Sequence, residues 1–430
     1  MKKKRVSLSF DDVFTLSLVL CAIIAGNSVN NLWLYFESWY TEAFHNSLYA
    51  AKKSNVRVNI QRNYKRRQQS LVILPRIRHD SFLIPPYRLH SSTYNPEGLV
   101  SNVTLRNYLS HPDGFHLALA PAFFGFYAYY GALTVFNENV LPCSDFNDSS
   151  SAVSIFPCTT TNMCSYLLKS VSGASAGAMA AIQLAAGLDP RELSDFASTM
   201  TLNRFADPPG FLGLLRGNLF ERIMLDRLKL GSTGTARLED GLVPVAVTGF
   251  DLWTMRGKIL QRGCMARAAR ASATFPGLFQ PVLWKKEEGK EEENFELMGK
   301  RQMLKLFIRN ILPYYFLIDG GVTDPLGLLG LTVHSPTNPK RIVNVVVGPF
   351  SSTGPPGPSQ MPQGIHATHV LSISIQNCPR PSPWAMANGP LAVHAAREAM
   401  KQVLDVPLYH GKEPGHYILD LDTSHIDITG

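Results

Sequence analysis

Residues Tyr166 to Gly187 read YLLKSVSGASAGAMAAIQLAAG, and the change of character in the middle of this stretch decides the fold. An apolar run leads into Gly173-Ala174-Ser175-Ala176-Gly177, and small residues at helical spacing follow. A G-x-S-x-G placed between a strand and a helix is a nucleophile elbow, a sharp turn that leaves the serine hydroxyl exposed above the sheet. The helix N-terminus then faces any negative charge that develops on the reacting group. Such a turn crowds the chain, and Gly173 and Gly177 relieve the crowding because a residue without Cβ lets two backbone segments approach closely. Ala174, Ala176, Ala178, Ala180 and Ala181 let the helix lie tightly against a sheet. Gly187 suits a helix C-cap, and Asp189-Pro190-Arg191-Glu192 starts the next helix with a cap, a first-position proline and an acid in the first turn.

Working outward, HLALA at 116–120 reads as a short strand, and PAFFGFYAYYGAL at 121–133 turns into an aromatic helix. Beyond the elbow, VPVAVTGFDL at 243–252, YYFLI at 314–318, RIVNVVVG at 341–348 and residues 371–375 are apolar or β-branched runs of strand length. Between them lie helical stretches, including 266–282, broken at Pro276-Gly277, and 390–404. Strands that alternate with helices predict an α/β fold, a mostly parallel central sheet covered by helices on both faces.

A chain of 430 residues, 45% hydrophobic, can bury a large core. The formal charge of +8 is concentrated near the start, at Lys2 to Arg5 and in residues 43–79, which hold nine Lys or Arg and no acid. The remainder is mildly acidic, which excludes a nucleic-acid-binding body. The six cysteines show no C-x-x-C pair and no Cys/His metal spacing, so no metal site is expected. Cys143, Cys158 and Cys164 share one polar stretch, where two of them are free to pair if the chain is exported. The sequons at Asn102 and Asn147 fit the same compartment.

The first residues are basic and 13–26 is an uncharged apolar run, as in a signal peptide or signal anchor of the endomembrane system. The basic stretch at 43–79 suits a membrane surface, since acidic lipid attracts each nearby cation by roughly 1 kcal/mol. Residues 81–108 read as a Pro/Asn/Ser-rich linker, and 285–305 as a charged surface insertion. The resulting division is 1–36 signal or anchor, 37–110 basic extension and linker, 111–330 catalytic domain, and 331–430 a C-terminal extension packed on that domain.

A serine hydroxyl needs a base before it attacks anything. Asp319 follows the YYFLI strand and precedes Gly320-Gly321, which places a carboxylate at a strand end where the backbone can bend beside a ligand. The alternative is a Ser, Asp, His triad using His366, His369 or His394.

Four pieces in order resemble the patatin-like phospholipase family. They are the strand and turn at 116–125, G-x-S-x-G at 173–177, the element Ser272 to Pro281 with its Pro-Gly, and D-G-G-x-x-x-P at Asp319 to Pro325. The resemblance implies a three-layer patatin-like fold and a serine lipid acyl hydrolase acting on phospholipids or glycerolipids without metal or cofactor. By motif position it implies Ser175 as nucleophile and Asp319 as the base. The family's oxyanion loop is glycine-rich with a basic residue, whereas here it reads Ala120-Pro121-Ala122-Phe123-Phe124-Gly125. Pro121 has no N–H to donate, which leaves Ala122, Phe123 and Ala176 as candidate donors. Two alternatives follow: a catalytically impaired, membrane-associated lipid-binding protein, or a lipid acyltransferase. Phe123, Phe124, Phe126, Tyr127, Tyr129 and Tyr130 suit an acyl-chain pocket, although an aromatic core face is the expected place for most of them.

Overall fold

The computed structural model describes residues 100–139, 153–154, 156, 165–208, 212–231, 234–285, 314–334, 341–348, 357–383 and 385–426. The signal or anchor at 1–36, the basic segment, the three clustered cysteines, the Asn147 sequon and most of the charged insertion lie outside them. No helix among the described residues is long and apolar enough to cross a membrane.

Eleven strands form one sheet. In chain order they are β1 (Val100–Thr104), β2 (Phe115–Leu119), β3 (Leu168–Ala174), β4 (Val245–Asp251), β5 (Arg256–Leu260), β6 (Val282–Lys285), β7 (Tyr314–Ile318), β8 (Arg341–Val347), β9 (His369–Gln376), β10 (Pro407–His410) and β11 (His416–Asp422). The spatial order is β1-β10-β11-β9-β8-β2-β3-β4-β7-β6, with β5 also paired to β4. The six central strands, β11 to β4, are parallel. The pairs at both margins are antiparallel. The parallel strands β3, β4 and β8 are buried along nearly their whole length, as expected of strands covered on two faces.

Helix α1 (Leu105–Leu109) follows β1, and α2 (Phe126–Asn139) follows the aromatic turn. After the elbow come α3 (Ala176–Ala185), α4 (Pro190–Ser198), α5 (Leu202–Phe205) and α6 (Asn218–Leu228), then α7 (Met265–Ser272), α8 (Leu331–His334) and α9 (Asn388–Val403). The small residues of α3 are all buried, so its backbone lies close to β2, β3 and β4. Asp189 caps α4 by accepting the Arg191 N–H at 2.7 Å, as its sequence predicts. Leu328 and Leu331 cover the other face through Ala118, Ile342 and Ile365.

Two boundaries differ from the sequence reading. Residues 331–430 do not sit on a finished domain: β8 lies between β2 and β9, so the sheet runs through them. Likewise 100–109 is not linker, since β1 pairs with β10 and Leu105, Tyr108 and Leu109 are buried. In both cases the missing information is the partner strand, which lies hundreds of residues away in sequence.

Candidate active site

The site forms where two strands meet. Phe250 and Asp251 pair with β5 and also with β7, so β5 and β7 lie on opposite sides of β4. Val247 and Thr248 pair with β5 and also with β3, which puts β3 on the same side as β7. Strand β3 runs parallel to β4 and ends beside Thr248; β7 runs antiparallel and ends beside Phe250. Their ends converge near Gly249, and the next residues in each chain segment are Ser175 and Asp319.

Ser175 Oγ donates to Asp319 Oδ2 at 2.7 Å across 144 positions of sequence. The serine has φ 54° and ψ −122°, a sparsely populated conformation that costs of order 1–3 kcal/mol and persists only where its surroundings enforce it. The crowding is as the motif implies: a Cβ on Gly173 would lie 2.5 Å from Gly177 C, and one on Gly177 2.1 Å from Leu119 O. Asp319 Oδ1 accepts the Gly321 N–H at 2.8 Å, which turns the carboxylate toward the serine. A Cβ on Gly320 would meet Thr248 O at 2.1 Å and one on Gly321 would meet Pro121 Cβ at 2.8 Å, so the loop 120–125 packs directly on the D-G-G turn.

Both side chains are buried, Ser175 5% and Asp319 7% exposed. Burial pushes the Asp319 carboxyl up to about 6, against the hydrogen bonds from Ser175 and Gly321 that favour its charged form. Asp324 lies in the same box and is also raised to about 6 by burial. It accepts from Thr248 Oγ1 at 3.1 Å and from the N–H groups of Leu328 and Leu329, so it ties the loop after the D-G-G turn to β4.

None of the three candidate histidines lies here. His366 and His394 are exposed. His369 opens β9, four residues before Ile373, which is level with Leu119 and Gly173 across the sheet. That places it about 13 Å back along the strand direction from the serine end.

A cavity of about 740 Å³, its open mouth included, runs from the dyad. Four of the six aromatic candidates, Phe123, Phe124, Phe126 and Tyr130, line it. Tyr127 and Tyr129 do not, and the Tyr129 hydroxyl donates to Ala120 O at 2.5 Å. Phe124, at the family's basic position, is an apolar wall. Of the candidate oxyanion donors, Phe123 borders the cavity with φ 48°, Ala176 opens α3 directly after the serine, and Ala122 is buried in the turn whose carbonyl accepts the Gly125 N–H at 2.6 Å. Among the described residues no cluster of His, Cys, Asp or Glu could hold a metal.

Sequence reading passed over two groups. Ser272 Oγ accepts the Ser175 N–H at 2.9 Å, and Thr274 O accepts the Asp319 N–H at 3.0 Å. Both residues sit in the Ser272 to Pro281 element. Met179 and Gln183, spaced four and eight positions after Ser175, also line the cavity, and that helical spacing was the available signal.

Residues 164–332 match the family model for patatin-like phospholipase. Over these residues the chain is similar to patatin-like phospholipases, and its mixed sheet with helices on both faces is an α/β fold consistent with that match. No curated protein matches the sequence. Among solved structures the chain is similar to VipD from Legionella pneumophila, at 14% identity and TM-score 0.34 over 62% of this chain and 50% of that one. It is also similar to full-length ExoU from the type III secretion system of Pseudomonas aeruginosa, solved in complex with full-length SpcU, at 15% identity and TM-score 0.27 over 55% of this chain and 56% of that one. The chain thus spans about half the length of these structures.

Proposed function

We propose that the protein is a lipid acyl hydrolase that cleaves fatty-acyl esters of phospholipids or glycerolipids through Ser175 and Asp319. The 2.7 Å hydrogen bond between the two side chains carries this reading. Asp319 as carboxylate takes the proton from Ser175 Oγ as that oxygen attacks the ester carbonyl. The leaving alcohol receives the proton back from Asp319, and an acyl-Ser175 ester remains. Water then attacks that ester with Asp319 again taking the proton, and the fatty acid leaves as Ser175 is restored. The α3 N-terminus and backbone N–H groups near Phe123 and Ala176 face the developing oxyanion. The apolar cavity beside the dyad fits an acyl chain. The basic segment and apolar run near the start of the chain fit work at a membrane surface within the endomembrane system.

The test is hydrolysis of a p-nitrophenyl acyl ester and of phospholipid vesicles. Activity is expected to disappear in Ser175→Ala and in Asp319→Asn while both proteins stay folded. Activity that survives Asp319→Asn overturns the dyad.

Pro121 favours a second reading, a lipid-binding protein with impaired turnover, because losing one oxyanion donor reduces kcat by about two to three orders of magnitude. A fluorophosphonate probe separates the two: an activated Ser175 is labelled, an idle one is not. Transfer of the acyl group to an alcohol in place of water is distinguished by product analysis with a glycerolipid acceptor present.

A further inference from the structure

Among the described residues four polar side chains line the cavity, and they form two pairs. Ser175 and Asp319 are one. The other is Gln183 and Tyr130, whose hydroxyl donates to Gln183 Oε1. Every other lining residue is Phe, Met, Ala, Leu or Ile. Ser175, Met179 and Gln183 follow one stripe of α3, so the amide stands two turns from the serine, about 12 Å along the helix axis.

Gln183 is 1% exposed, and its placement is costly unless its amide is satisfied. A carboxamide offers two N–H donors. Among the described residues the acceptor for Gln183 Nε2 is the Met224 sulfur at 3.7 Å, a weak one. One donor thus remains for a ligand in a compartment of phenyl rings and thioethers. A leucine or methionine would fill the same space at lower cost if that end served hydrocarbon alone.

We propose that the cavity takes an acyl chain bearing a neutral oxygen function, a hydroxyl or ketone, about two helical turns from the scissile carbonyl, where the Gln183 amide donates to it. This rests on the reading above that the chain is seated with its carbonyl at Ser175. A free carboxylate is disfavoured at that depth, because among the described residues no Lys, Arg or His lines the cavity to compensate a buried charge. Tyr130 acts as a positioning residue: its proton occupies Oε1 and so presents the N–H side of the amide.

The experiment compares p-nitrophenyl esters of equal chain length, plain and with a hydroxyl walked along the chain. Wild type is expected to show a maximum in kcat/KM at one hydroxyl position, about three- to tenfold over the plain ester, the range of one net neutral hydrogen bond. In Gln183→Met that ratio falls to about one, and in Tyr130→Phe it falls in the same direction, which covers the case of one variant failing to fold. Displacement of a fluorescent fatty acid from Ser175→Ala protein, by plain and by hydroxylated fatty acid, reads the same preference without chemistry. Equal treatment of plain and hydroxylated chains in both assays, or a preference unchanged in both variants, overturns the inference. Selective displacement with no hydrolysis of any ester overturns the hydrolase reading and keeps this one; hydrolysis without discrimination does the reverse.

Discussion

Ser272 Oγ accepts the backbone N–H of Ser175, and two residues later the Thr274 carbonyl accepts that of Asp319. The end of α7 therefore holds both members of the dyad from behind, one by a side chain and one by the backbone. Ser272 is fully buried, so water cannot stand in for its hydroxyl without rearrangement.

Ser272→Ala leaves the Ser175 N–H buried and unpaired, which costs about 1–3 kcal/mol. Because that bond helps hold a strained serine in register with Asp319, kcat should fall about tenfold or more while KM changes little. Steady-state kinetics with a soluble ester, beside chemical denaturation, check both effects. A stability loss with kcat untouched would mean that Ser272 only packs.

The raised carboxyl of Asp319 has opposite consequences for rate and for stability. In the proposed reaction Asp319 acts as carboxylate, so kcat/KM should fall about tenfold per pH unit below about 6. For stability the sign runs the other way. A group whose folded value lies above its unfolded one contributes stability that is fully present below about 4 and is lost as pH rises through about 6. At neutral pH the fold therefore carries a buried charge that Asp319→Asn removes. The asparagine keeps one acceptor oxygen for two donors, so the net gain should be about 1–2 kcal/mol at pH 8 and near zero at pH 4. Asp324 carries a similar shift, and comparing the variant with wild type at each pH cancels it. Thermal melts at the two pH values provide the readout.

The elbow and Asp319 were legible because each is a local pattern: glycines flanking a serine between two apolar segments, and a carboxylate between an apolar strand and two glycines. Strands β2, β3, β4, β8 and β9 at the centre, and YYFLI in β7 nearer the margin, were legible as apolar or β-branched runs. Other strands were not. RGKIL in β5 and PLYH in β10 are short and half polar, and nothing within them marks a strand. HYILDLD in β11 carries part of an alternation but needs β9 beside it to become a sheet strand. The bracket from α7 and the second polar pair in the cavity join residues separated by 45 to 97 positions, and no spacing rule connects them. Phe205, Phe220 and Phe279 look like ordinary core residues until the packing leaves a cavity between them.

The two motif glycines should be intolerant for a reason distinct from backbone conformation. In Gly177→Ala the new methyl would lie 2.1 Å from Leu119 O, so α3 or β2 must shift. A loss above about 3 kcal/mol, or failure to fold, is expected. Gly364→Ala is the control: φ is +96° but nothing lies within 4 Å, so only the conformational penalty of about 1–2 kcal/mol applies. Melting temperatures of the two variants should differ by more than the error of either.

Ala197 lines the cavity from α4 and is itself buried. Ala197→Phe places a ring where an acyl chain would run and should leave the dyad and its hydrogen bonds in place. Each methylene that can no longer enter is worth about 1–3 kcal/mol of transition-state binding. Short esters should therefore be cleaved nearly as before, while kcat/KM for long-chain esters drops by tenfold or more. A chain-length series of p-nitrophenyl esters gives the comparison within one protein, so differences in folded fraction cancel. A uniform drop across the series would mean that the ring disturbs Ser175 instead, and an unchanged series would mean that the acyl chain takes another path out of the site.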